Sequence, residues 1–152
     1  MKKRVFTVLV FMLIVTSTIY AQSKPEADSS FERIEYLIDK CLSLLDNPVP
    51  GEFQLFEPNF YMNKEGIAVR IEKGLIFASM AMIVMPPNEE ALNVAYVYAL
   101  SLLGQRYGFI NLRGAGNSVI LNKNNLIATV HLQRHDNVFI LIVGFSDRIL
   151  TF

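Results

Sequence analysis

The period of the hydrophobic pattern changes along the chain, and each change marks a predicted element. Between residues 30 and 46, apolar side chains recur every three or four positions, which is the spacing of one helix face. Residues 29–32, Ser-Ser-Phe-Glu, match a capping box, in which serine and glutamate satisfy each other's backbone donors. The pattern therefore predicts a first helix over residues 30–46, preceded by a polar, flexible leader at residues 22–29.

A second helix is predicted over residues 88–107. Asn88 can cap its first turn, and Glu89 and Glu90 would lie at the positive end of its dipole. Gly108 can adopt the left-handed conformation that ends many helices. The predicted core face consists of Leu92, Ala95, Ala99, Leu102 and Leu103. Many of the remaining positions are also apolar, which is typical of a helix that is covered on more than one side.

Strand-like segments flank the second helix on both sides. They lie at residues 60–62, 67–72 and 75–85 before it, and at 118–121, 126–133 and 138–145 after it, with 109–112 as a further short or extended segment. Residues 48–58, which contain three prolines, are predicted to be an irregular connection, and residues 113–117 a loop. Segments 75–85 and 138–145 are apolar at nearly every position, as is usual for central strands covered on both faces.

Strands grouped on either side of a helix indicate an α+β fold with an antiparallel sheet. We therefore predict one α+β domain over residues 30–152, in the order α-βββ-α-βββ. Its sheet is expected to have about six or seven strands in two meanders, packed by the two α-helices.

The first 21 residues have the layout of a secretory signal peptide. Lys2, Lys3 and Arg4 precede an apolar run that ends at Ile19, and Ala21 is a small residue suited to the position before a cleavage site. The run is shorter than the ~20 residues that span a bilayer comfortably, which favours cleavage over the alternative of a retained membrane anchor. We therefore predict an exported bacterial protein, periplasmic or extracellular, with no membrane contact after cleavage.

Charge and cysteine content exclude two classes of protein. The whole chain has 14 basic and 14 acidic residues, so loss of the three basic residues at its start leaves an acidic excess of three. This balance argues against a partner that is a nucleic acid. Cys41 is the single cysteine, which excludes an intramolecular disulfide framework, and its place on the apolar stripe of the first helix favours an inert, buried thiol.

The candidates for metal or catalytic chemistry are sparse. His131 and His135 are the only histidines, with Asp136 beside them, and they fall on a strand and its turn without the three or four ligands of a stable metal site. The stretch that contains Met80, Met82 and Met85 offers thioethers suited to Cu(I), but its neighbours are all apolar, which favours core packing.

No residues in the sequence combine a nucleophile, a base and an orienting group. The glycines of residues 113–117 precede a predicted strand rather than a helix, so a hairpin turn is favoured over an anion-binding loop. We therefore predict a non-enzymatic protein without cofactor or metal. An enzyme whose site carries no recognisable motif, using His131, His135 and Asp136, stays as an alternative.

The second helix supplies the predicted interaction surface. Tyr96, Val97 and Leu100 lie largely outside its core stripe, and apolar surface that contains tyrosine is common in partner recognition. We therefore predict a binding or protein-interaction domain whose partner is an unknown protein or a second copy of the chain.

An alternative function is transport of a small apolar ligand. The predicted pocket lies between helix and sheet, near Phe77, Met80, Met82 and Tyr98. A copper-binding protein that uses the methionines is a less favoured form of the same alternative.

Overall fold

The computed structural model describes residues 27–147, which form two helices and eight strands in the order α-ββββ-α-ββββ. The helices are α1 (Ala27–Leu44) and α2 (Glu89–Gln105). The strands are β1 (Gln54–Glu57), β2 (Phe60–Met62), β3 (Ile67–Glu72), β4 (Leu75–Met85), β5 (Ile110–Ala115), β6 (Ser118–Lys123), β7 (Leu126–His135) and β8 (Val138–Ser146). The predicted signal peptide, most of the predicted leader and residues 148–152 lie outside the described residues.

All eight strands belong to one antiparallel sheet with the order β1-β2-β3-β4-β8-β7-β6-β5. Two meanders of four strands are joined by the pairing of β4 with β8, which extends from Ala78–Ser146 to Met85–Phe139. The two nearly all-apolar segments therefore form the two central strands. The α+β class, the antiparallel sheet and the two helices are confirmed.

The sheet differs from the prediction in strand number, because each meander has four strands rather than three. Strand β1 lies in the segment predicted to be irregular, where it pairs with β2 at the edge of the sheet. Strand β5 covers residues 110–112 of the predicted segment 109–112 and most of the predicted loop 113–117. It pairs with β6 across a turn at Gly116, which has a positive φ of 57°.

Helix α1 begins at Ala27, earlier than predicted, so Ser29 lies inside the helix and is not its N-cap. Helix α2 agrees closely with the prediction. The Asn88 side chain accepts hydrogen bonds from the backbone N–H groups of Glu90 at 2.9 Å and Ala91 at 3.2 Å. Gly108 has a positive φ of 74°, two residues beyond the C-cap Arg106.

Both helices pack on the same face of the sheet and form the main core with it. Helix α1 contributes Ile34, Leu37, Ile38, Cys41 and Leu44, and α2 contributes Leu92, Ala95, Ala99 and Leu103. The Ser79 hydroxyl of β4 donates a hydrogen bond of 2.8 Å to the backbone carbonyl of Cys41, which ties α1 to the sheet. The central strands and the two helices thus form two layers, with most of the buried apolar residues between them.

The opposite face of the sheet carries a second, smaller apolar cluster. Its buried members are Met62, Ala68, Met82, Ile140 and Ile142. Within the described residues no helix lies against this face, because the side chains of α1 and α2 pack into the main core. Neither of the two described helices has the length and apolar character needed to cross a bilayer.

Candidate functional site: the outer face of helix α2

Helix α2 is held at its first turn by an ion pair to the sheet. The Arg134 guanidinium of β7 donates two hydrogen bonds to the Glu89 carboxylate, at 2.7 and 2.8 Å. These hydrogen bonds lower the pKa of Glu89 from its ordinary value. Asn88 caps the same turn, so the start of α2 has a fixed position on the sheet.

A polar network joins the end of α2 to α1. The Arg106 guanidinium binds the carboxylates of Glu35 and Asp39, and the Tyr107 hydroxyl donates to Asp39. Burial, together with the hydrogen bond to Asp39, raises the pKa of Tyr107 to about 12, so its hydroxyl stays protonated at neutral pH. This network fixes how the two helices lie side by side.

An aromatic contact also covers the side of α2 that faces α1. The rings of Phe31 and Tyr98 are 4.5 Å apart between centroids, and the Tyr98 hydroxyl donates to Glu35 at 3.3 Å. Tyr98 therefore belongs to the contact between the helices.

We call the set Glu90, Asn93, Val94, Val97, Ser101 and Gly104 the outer face of α2, and it carries no charged side chain after Glu90. Residues 91–105 contain no Asp, Glu, Lys or Arg. The side chains of Val94 and Val97 are exposed to 48% and 62%. Asn93, Ser101, Gly104 and Gln105 are also exposed. A surface helix normally directs charged and polar residues to solvent, so this uncharged face is unusual.

The predicted interaction residues divide between two sides of α2. Val97 lies on the outer face and is exposed. Tyr96 and Leu100 are half-buried and pack against the main core, and burial raises the pKa of Tyr96. Val94, one helical turn before Val97, was not singled out from the sequence. The signal that would have identified it is the 15-residue stretch without charge.

The N-terminal half of this face borders an open depression of about 550 Å³. The described residues that line it are Glu90, Asn93, Val94 and Val97. Its lining is mainly apolar, with one carboxylate at the end nearest to the start of the helix.

The predicted ligand pocket is not assembled as one site. Met80 and Met82 belong to the cluster on the sheet face opposite the helices, whereas Tyr98 contacts α1 on the helix side. Phe77 is half-buried in β4. Met85 lies on the helix side in the main core, so the three methionines of β4 do not share one face.

The two histidines also lie too far apart for one metal ion. They are four residues apart on β7, which corresponds to roughly 13 Å along a strand. His131 Nδ1 is 2.6 Å from the Ser118 hydroxyl, and His135 Nδ1 is 3.2 Å from the Asp136 carboxylate. Across residues 27–147, no group of three or more His, Cys, Asp or Glu side chains is arranged to hold a metal ion.

The single cysteine faces the core from α1. Its thiol is buried, and burial raises its pKa to about 12. Because the thiolate is the nucleophilic form, a thiol with this pKa is unreactive at neutral pH.

Comparison of the chain with protein-family models, with curated proteins and with solved structures finds no match.

Proposed function

We propose that this protein is an exported, non-enzymatic interaction domain that binds another protein through the outer face of α2. One observation carries the proposal: α2 exposes Val94 and Val97 on a face that has no charged side chain between Glu90 and Arg106. Interface cores are depleted of charge relative to the rest of a protein surface, and this face has that composition.

The rigidity of α2 supports a binding role. The helix is capped by Asn88, paired to the sheet through Glu89, and joined to α1 through Arg106. A surface that is already ordered loses less conformational freedom when it binds, so more of the contact energy remains as affinity. The outer face is therefore already ordered before it binds a partner.

Site-specific photo-crosslinking tests the proposal. A benzoylphenylalanine replaces Val97 on α2 in one variant and Tyr36 on α1 in a matched control, since Tyr36 is an exposed aromatic residue on the neighbouring helix. Both full-length variants are expressed in the producing organism, irradiated and analysed by mass spectrometry. We expect a defined protein adduct from position 97 that is lost when Val94→Asp is added.

Two results would count against the proposal. Equal adduct yields from positions 97 and 36 would mean that other proteins contact α2 no more often than they contact α1. If the folded protein is irradiated and no adduct forms at position 97, no protein binds this face.

A further inference from the structure

We propose that the outer edge of β5 binds an extended, acidic segment of another protein, which joins the sheet as a ninth strand. This edge is separate from the outer face of α2, so the proposal goes beyond the proposed function. Strand β5 is the last strand in the sheet order, and within residues 27–147 only β6 pairs with it. Alternate backbone N–H and C=O groups of an edge strand point away from the sheet, where another extended backbone can satisfy them.

Apolar side chains on β5 are open to solvent beside these backbone groups. Ile110 is exposed to 69% and Leu112 to 56%. The ring of Phe109, one residue before the strand, is buried with its centroid 6.0 Å from that of Phe145, so the start of β5 has a fixed position. A strand added at this edge would cover Ile110 and Leu112 and remove apolar surface from water.

The two edges of the sheet differ in the features that normally prevent strand addition. Natural edge strands are protected by short length, by proline and by charged side chains. Strand β1 has four residues, ends at Glu57 and is followed directly by Pro58. Strand β5 has six residues, Arg113 is its only charged residue, and the sequence has no proline after Pro87. Both edges contain a bulge, so the difference lies in length, proline and charge.

The charge around β5 favours an acidic partner. Residues 106–135 contain three arginines and one lysine, but no aspartate or glutamate. Arg106 and Arg134 bind carboxylates of the two helices. Arg113 and Lys123 are exposed and form no ion pair in the described part of the chain. Lys123 lies near the start of β5 and Arg113 within it, so the edge carries two cations without a partner there.

Arg113 has a defined place beside the apolar residues of β5. It pairs with Ile120, and Ile110 pairs with Asn122. Leu121, between these two residues of β6, lies in the main core, so Ile110 and Arg113 both project from the sheet face opposite the helices. A strand paired with β5 would place one side chain beside each of them, since paired residues of neighbouring strands share a face. The segment that fits carries an apolar residue and a carboxylate on one face.

Fluorescence anisotropy with a labelled synthetic peptide and the full-length chain tests the proposal. The probe is Thr-Val-Thr-Glu-Thr-Val-Thr-Glu, whose β-branched residues favour a strand and whose valines and glutamates share one face. One matched peptide has lysine in place of each glutamate, and another has every backbone nitrogen methylated. We expect the probe to bind with a dissociation constant of roughly 100 μM, and both matched peptides to bind about tenfold more weakly.

Three exposed residues of the chain supply the variants, and thermal unfolding checks that each variant is folded. Arg113→Glu should weaken binding of the acidic probe about tenfold and strengthen binding of the lysine peptide, because it reverses a cross-strand charge pair. Leu55→Glu is the matched control, since Leu55 is 63% exposed on β1 at the other edge, and it should leave binding unchanged. Val97→Asp should also leave it unchanged, which separates this edge from the outer face of α2.

Amide hydrogen exchange locates the bound probe, because strand addition should slow the exchange of those N–H groups of β5 that point away from β6. Equal binding of the methylated peptide, or unchanged exchange in β5, would overturn strand addition. Equal binding of the lysine peptide would overturn the acidic partner. Absence of binding up to about 1 mM probe would overturn both. Self-association of the chain alone that protects the same amides would replace the proposed segment with a second copy.

These outcomes are independent of the proposed function. A photo-adduct at position 97 that persists in Arg113→Glu would leave the α2 proposal standing when the peptide experiment fails. Peptide binding by a chain that gives no adduct at position 97 would leave β5 as the binding site and overturn the proposal for α2.

Discussion

The two helices lie side by side on the same face of the sheet, yet their outer surfaces differ. Helix α1 carries several charged residues outside the core, and Glu35, Asp39 and Lys40 all form ion pairs. Helix α2 has no charged residue between Glu90 and Arg106. Since both helices bury one face in the same core, the need to fold does not explain the difference. Solvation accounts for the charged surface of α1, and the proposed partner would account for the uncharged surface of α2.

The inner faces of the two helices should contribute similar amounts to the free energy of unfolding. Leu37 of α1 and Leu103 of α2 are both almost completely buried. Replacing either one with alanine removes packed methyl groups and leaves a cavity, so we expect each variant to lose about 3–5 kcal/mol of unfolding free energy. Urea unfolding measures both. A much smaller loss for Leu103→Ala would mean that α2 packs less tightly on the core than α1. The two helices would then differ in their packing as well as in their exposed surfaces.

Alkaline pH should distinguish the inner faces, because the fully buried side chains of α1 include a thiol, whereas those of α2 are all aliphatic. The pKa of Cys41 is raised from 9.0 to about 12 in the folded protein. Its contribution to stability is therefore complete below about pH 9 and decreases as the pH rises toward 12. The decrease reaches about 4 kcal/mol, since each pKa unit corresponds to about 1.4 kcal/mol.

Urea unfolding at a series of pH values measures this effect. Stability should fall less steeply between pH 9 and 12 in Cys41→Ala than in the parent chain. Both chains should carry Tyr107→Phe, because Tyr107 titrates in the same range. Parallel pH profiles for the two proteins would contradict the assignment to Cys41.

The polar network between the helices should have a smaller effect. Arg106→Ala removes the partner of Glu35 and Asp39, but all three side chains are well exposed and screened by water. We expect a loss of about 1 kcal/mol at low ionic strength and less in high salt. Thermal unfolding at two salt concentrations tests this, with Arg33→Ala on α1 as a control. A loss that does not change with salt would indicate a packing role for Arg106.

The sequence was sufficient for the elements that carry their own local signals. Asn88, the two glutamates and Gly108 define α2, and the continuous apolar runs identify β4 and β8 as the central strands. Strand β1 could not be predicted, because its four residues form a strand only through pairing with β2. The capping box at Ser29 was misleading, since α1 continues past it to Ala27.

The candidate site was anticipated in part. Val97 was predicted as a surface residue and is exposed, but Tyr96 and Leu100 are half-buried against the core. Periodicity gives the centre of a helix's buried stripe but not its width, which depends on the neighbouring elements. The contact with α1, which covers Tyr98, and the exposure of Val94 are both consequences of that packing.

The amino-acid sequence by itself determined the α+β class, the two helices and the absence of charge along α2, because these depend on local periodicity and composition. Only the tertiary structure decided that the helices cover the face of β4 that carries Met85 and not the face that carries Met80 and Met82. It also decided that the valines of α2 are exposed and its tyrosines half-buried. The physical reason is that exposure depends on what packs against a residue. For α2, this is set by the sheet beneath it and by α1 at its side.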